Sequence, residues 1–160
     1  MTFVEASAPA TRPTLKMQRT FDAPRELVWR AWSNPEILVL WMGPVEWPAV
    51  SVTCDFRVGG AWRICLRSPD TGQDLWQGGI YTEIDAPRRL AFTFQWDESH
   101  EDGPPVETLV TVELSETADG ETRMDFTHES LKSEQSLTGH KHGWTSTAYR
   151  LEAWLAANPD

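Results

Sequence analysis

The feature that most constrains this chain is DFRVGGAWR, Asp55 to Arg63, in which a hydrophobic run meets Gly59-Gly60 and an aromatic run, Ala61 to Leu66, follows at once. A glycine pair between two strand-like runs predicts a β-hairpin. Its arms are expected from Val50 to Phe56 and from Ala61 to Arg67. A hairpin alone is marginal in water and needs further strands or a helix to cover its apolar face. The rest of the chain must supply them.

It does so in a definite order. Leu15 to Phe21 predicts a first strand. Asp22-Ala23-Pro24 predicts a helix start, with Asp22 as the cap and Pro24 at an early helical position. Leu27, Val28, Ala31 and Trp32 then recur at helical spacing. Ser33-Asn34-Pro35 ends this helix and opens a second short one to about Trp41, which Gly43-Pro44 breaks. After the hairpin, strands are expected from Leu75 to Ile84, Arg89 to Trp96, Val106 to Leu114 and Thr122 to Glu129. Gly78-Gly79 marks a bulge or bend in the first of these. Ser133 opens a long amphipathic helix to about Ala157, and His140, Trp144, Thr147, Ala148, Leu151, Trp154 and Leu155 draw its buried stripe. Strands joined by short turns imply an antiparallel sheet, and the last helix covers it, so the class is α+β.

A chain of 160 residues makes one domain, here residues 14–158, after a leader at 1–13 whose Ala, Pro, Ser and Thr predict disorder. The net charge of −10 argues against nucleic acid and anionic membrane surfaces, which need clustered Lys and Arg. No run reaches transmembrane length, and the N-terminus lacks the basic and apolar regions of a signal peptide, so a cytoplasmic location is expected. There Cys54 and Cys65, which flank the glycine pair, read as reduced, buried thiols that could be neighbours across the hairpin. Nine Trp residues predict a bulky aromatic core or an aromatic-lined cavity.

The motifs FDAPRELVWRAW (Phe21 to Trp32), WMGP (Trp41 to Pro44), DFRVGGAWR, GGIYTEIDAPRRLAF (Gly78 to Phe92), ETLVTVEL (Glu107 to Leu114) and HKHGW (His140 to Trp144) follow one another in that order. In this the chain resembles the activator of heat-shock protein 90 ATPase homologue-like family, within the START-related, Bet v allergen-like superfamily of helix-grip domains. The resemblance runs from about Leu15 to Leu155. It implies a helix-grip fold: a curved antiparallel sheet wrapped around the long C-terminal helix, two short helices after the first strand, and an internal apolar cavity. The eukaryotic co-chaperone behind the family name carries an additional N-terminal chaperone-binding domain. The residues before Leu15 are too few to supply one, so chaperone interaction is not carried over.

The function expected from this frame is binding of a small hydrophobic molecule, lipid-like or aromatic, without cofactor or metal. An enzyme of cyclase or hydrolase type is the second reading, and a protein–protein module the third. A homodimer is compatible with the sequence. Candidate ligand contacts are Trp41 and Met42, in the region that caps one cavity end; Trp62, which shares a strand face with Ile64 and Leu66; and Trp76, near the next hairpin. Phe94 and Trp96 share a face with Phe92, and Met124 with Phe126 and His128. From the last helix come His140, Trp144 and Ala148. His140 lies one turn before Trp144 and is the one candidate acid or base. His140 and His142, two apart, do not make a helical metal pair, and no nucleophile elbow or phosphate loop occurs. Glu83, Glu107, Glu113 and Asp125 qualify as acids only if buried in a pocket, and Asp55 with Arg57 reads as a hairpin salt bridge.

Overall fold

The computed structural model describes residues 12–100 and 103–159. Most of the leader expected at 1–13 therefore lies outside the described residues. Arg12 and Pro13, its last two, are docked: Arg12 donates to the Glu107 carbonyl, and the Pro13 carbonyl accepts from the Leu131 amide.

The elements run β1 (Leu15–Phe21), α1 (Arg25–Ser33), α2 (Pro35–Trp41), β2 (Ala49–Cys54), β3 (Ala61–Arg67), β4 (Asp74–Asp85), β5 (Arg89–Trp96), β6 (Thr108–Glu116), β7 (Thr122–Glu129) and α3 (Glu134–Ala157). All seven strands form one antiparallel sheet in the order β1-β7-β6-β5-β4-β3-β2. The two short helices thus carry the chain from one sheet edge to the other, and the remaining strands meander back. This is the expected α+β helix-grip architecture. No helix among the described residues is long and apolar enough to cross a membrane.

Local chemistry explains the boundaries. The α1 cap is Pro24, not Asp22: its carbonyl accepts from the Leu27 and Val28 amides, and no side chain caps the end. Asn34 serves two helices at once. Its amide donates to Arg30 at the end of α1, and its side chain accepts from the Glu36 amide at the start of α2. Pro35 follows where a missing N–H costs nothing. Ser133 caps α3 by accepting from the Ser136 amide at 3.0 Å.

The hairpin arms are shorter than expected. β2 stops at Cys54 because the Asp55 carbonyl turns inward to accept from the Arg57 amide. A Cβ on Gly60 would lie 1.9 Å from that carbonyl, so the turn closes only over glycine. The Asp55–Arg57 ion pair is exposed at its surface. Cys54 faces Trp62 across the ladder and Cys65 faces Ser51, so the two thiols point to opposite faces of the sheet and are not neighbours. In β4 the register shifts between Tyr81 and Glu83, after the glycine pair rather than at it. Gly79 has another reason: a Cβ there would stand 1.9 Å from the Thr93 carbonyl, which accepts from the Trp62 indole. β6 begins at Thr108, leaving Val106 in the preceding segment.

The concave face carries Ile64, Phe92, Val110, Val112 and Phe126, all buried. Helix α3 lies on it unequally. Its first fully buried residues are Thr147 and Ala148, followed by Leu151 and Leu155, whereas no residue from 134 to 146 is buried. The C-terminal half of the helix is gripped, and the N-terminal half is separated from the sheet except where His140 and Trp144 reach Trp96 and His128.

Candidate functional site

That separation opens a cleft of about 740 Å³. One wall is the loop after α2, Met42 to Trp47. A second is the end of β4 and β5, with Leu75, Gln77, Phe94 and Trp96. The third is the N-terminal half of α3, from Gln135 to Thr147, and Pro105, Val106 and Lys132 complete the rim.

The α2–β2 loop is fixed by two residues of α3. Arg150 donates to the Met42 carbonyl at 2.7 Å, to that of Gly43 at 2.9 Å and to that of Leu40 at 3.0 Å. A cation at the C-terminal end of α2 suits both its orphan carbonyls and its dipole. Burial lowers the pKa of this guanidinium. The Ser146 hydroxyl accepts from the Val45 amide at 2.9 Å. The turn itself depends on Gly43, at φ +89°, where a Cβ would lie 2.4 Å from the Trp47 carbonyl and 2.8 Å from Leu66 Cδ2.

Behind the cleft a chain of hydrogen bonds joins α3 to the sheet. The Trp144 indole donates to His128 Nδ1 at 3.0 Å. The Thr108 hydroxyl donates to the Phe94 carbonyl at 2.7 Å, so it can only accept from His128 Nε2, also at 2.7 Å. His128 is therefore neutral, with its proton on Nε2. Burial, and then the neighbouring His140, hold its pKa down at about 3. Beside it, Trp96 donates to His140 Nε2 at 3.1 Å, and His140 Nδ1 meets the Ser136 carbonyl at 2.8 Å. The His140 proton accordingly sits on Nδ1. The two imidazoles cross edge-to-face with centroids 4.9 Å apart.

Of the residues singled out in the sequence, Met42, Phe94, Trp96, His140 and Trp144 come together around this cleft. The others lie elsewhere. Trp41 is 1% exposed and donates to the Ala31 carbonyl. Met124 and Ala148 are core residues. Trp76 is on the opposite sheet face, paired with Cys65, with the Arg63 guanidinium over its ring. Trp62 borders only a small inner void of about 20 Å³, together with Trp32, Tyr81 and Phe92. The internal apolar cavity implied by the resemblance is thus contracted to roughly the space of one water. Its aromatic lining packs on itself, with the Trp62 and Phe92 centroids 5.4 Å apart. The open volume is at the mouth.

Three residues important to this arrangement are absent from the sequence-based candidates. His128 had a readable signal, a polar residue in phase with Met124 and Phe126 on an apolar face. So had Gln77, in phase with Leu75 and Tyr81. Arg150 had none, because a lone arginine on a helix does not announce which carbonyls it will meet.

The chemistry available is limited. Both His140 nitrogens are engaged, as are both of His128. His142 is exposed, 3.8 Å from Glu46. Glu83 and Glu113 hold Arg89, Asp125 meets Gln18 and Arg123, and the exposed Glu107 does not line the cleft. Among the described residues no three His, Cys, Asp or Glu side chains gather as metal ligands.

The model of the family described as activator of Hsp90 ATPase homolog 1-like protein matches residues 22–156. The AHSA1 protein of Silicibacter pomeroyi superposes with a TM-score of 0.78 at 25% identity, over 91% of this chain and 99% of its own. A protein from Arthrobacter aurescens, solved by solution NMR, gives 0.77 at 29% identity, over 90% and 86%. A protein from Chromobacterium violaceum gives 0.77 at 25% identity, over 89% and 96%. No curated protein is significantly similar to the chain.

Proposed function

We propose, since the chain belongs to the activator of Hsp90 ATPase homolog 1-like family, that it binds a small, largely apolar, aromatic molecule in the cleft between α3 and the sheet. The observation that carries this reading is the convergence of Phe94, Trp96 and Trp144 on a space of about 740 Å³. Pockets of roughly 300–1,000 Å³ with apolar walls and few polar groups suit such ligands. Both indole N–H groups are satisfied within the protein, so the rings meet the cleft as apolar surface. Affinity would come from burying that surface, at roughly 25 cal/mol per Å² of apolar area.

Binding is favoured over an acid–base role for His140 because both ring nitrogens are engaged, by the Trp96 indole and the Ser136 carbonyl.

The test is native mass spectrometry of freshly purified protein against its denatured mass, with tryptophan fluorescence followed during titration with hydrophobic ligands. A bound mass, or saturable quenching lost in Trp144→Ala, is the expected result. No bound mass and no saturable response across lipids and aromatics would sink the proposal.

A further inference from the structure

We infer that Gln77 is the polar anchor of the cleft, and that the ligand is an uncharged aromatic molecule carrying a carboxamide or lactam. The inference rests on the binding role proposed above and names the class of molecule bound.

Gln77 lies on the concave face of β4, with Ile64 of β3 and Trp96 of β5 as its Cα partners. It is 5% exposed. Among the described residues its side-chain amide meets no hydrogen-bond partner, although the neighbouring Trp62, Trp96, Thr108, His128, His140 and Trp144 are all paired. The amide is not sealed off: among the described residues the fully enclosed side-chain nitrogens and oxygens without a partner are those of Arg19, Arg25 and Trp32, so Gln77 keeps its small accessible area at the amide, where a partner can reach it. Its position says where a partner would come from. Gln77 borders both the cleft and the inner void, so it stands at the floor of the open space.

The shape of the missing partner follows from the side chain. A glutamine presents a carbonyl acceptor beside an NH₂ donor. A carboxamide or lactam offers the same pair reversed and can satisfy both at once. Phe94, Trp96 and Trp144 around it suit an aromatic body.

The ligand's charge follows from the groups at the floor, where no side-chain cation stands among the described residues. His128 is held neutral by burial and its hydrogen bonds, and both nitrogens of His140 are engaged, by the Trp96 indole and the Ser136 carbonyl. The Lys132 ammonium is at the rim, on the Gly103 and Pro104 carbonyls. Glu46 and His142 are at the rim as well. A carboxylate brought to Gln77 would lose its water without gaining a counter-charge.

The experiment is calorimetric titration of the wild type and Gln77→Met with naphthalene-2-carboxamide, its isosteric anion 2-naphthoate, and naphthalene. The wild type is expected to bind the carboxamide about tenfold more tightly than 2-naphthoate, the scale of one or two hydrogen bonds. Gln77→Met is expected to weaken the carboxamide about tenfold and to leave naphthalene within about twofold. Gln77→Leu serves as a second variant. Equal binding of the carboxamide and 2-naphthoate, tighter binding of 2-naphthoate, or an unchanged carboxamide affinity in the variants overturns the inference while the cleft stands. If no probe binds the wild type at all, the proposed function falls and this inference with it.

Discussion

The Trp144 indole lies 3.0 Å from His128 Nδ1, and this bond fixes the proton position on an imidazole that solvent does not reach. Trp144→Phe keeps an aromatic ring at the site but removes the indole N–H together with its pyrrole ring. It leaves a buried acceptor unpaired, a loss of about 1–3 kcal/mol. Urea unfolding of the variant measures it, and a change within about 0.3 kcal/mol would show the bond to be dispensable, well below that range.

The same imidazole makes stability depend on pH. In the unfolded chain His128 takes up a proton near 6.5, whereas burial keeps the folded ring neutral down to about 3. Over this interval the unfolded state binds more protons, so stability present above pH 6.5 is lost as pH falls toward 3. At 1.36 kcal/mol per unit, the loss by pH 4.5 is about 2–3 kcal/mol. Carboxylates titrate in the same range, so the quantity to follow is the gap between wild type and His128→Leu. That gap is expected to narrow between pH 7 and pH 4.5; a constant gap would contradict the assigned cause.

Arg150→Met should loosen one wall of the cleft. It removes donors from three carbonyls at the end of α2 at a cost of about 2–4 kcal/mol. Hydrogen exchange should rise first at the amides of Val45 and Trp47 in the loop it holds, and of Ala49, which donates to the Met42 carbonyl. Faster exchange spread evenly over the chain would show only a global loss of stability.

Two glycines with similar backbones separate strain from crowding. Gly43 and Gly72 have φ of +89° and +76°, but a Cβ on Gly72 meets nothing within 4 Å. Gly72→Ala is expected to cost about 1 kcal/mol, the backbone strain alone. Gly43→Ala should cost at least about 2 kcal/mol more, because the Trp47 carbonyl must move. Equal melting temperatures for the two variants would refute the crowding at Gly43.

The sequence displays what depends on period and punctuation. Alternation located β5, β6 and β7 within two residues, and Asn34-Pro35 and Ser133 marked helix ends that proved to be capped by those side chains. Where a turn is closed by backbone, residue types told less: Pro24 marked the start of α1 but Asp22 was read as its cap, and nothing at Asp55 showed that β2 would stop at Cys54. The site was legible where an aromatic residue is in phase on the concave face, as with Phe94 and Trp96. Trp76 misled because a tryptophan is satisfied equally well on the convex face beneath an arginine. The fit of side chains decides how much of an interior is empty. No pattern in the sequence revealed that Trp62, Tyr81 and Phe92 would close the inner space and leave the opening beside α3.

The sheet order also has a consequence for synthesis. β1 is an edge strand, and its one neighbour is β7, with Leu15 opposite His128 and Phe21 opposite Thr122. Strands β2 to β6 can pair in turn as the ribosome releases them, each with the strand just made. β1 cannot, so Leu15 and Phe21 remain without a sheet until most of the protein has been translated. A nascent chain stalled before β7 should therefore bind chaperones through its first strand and release them once Thr122 to Glu129 has emerged.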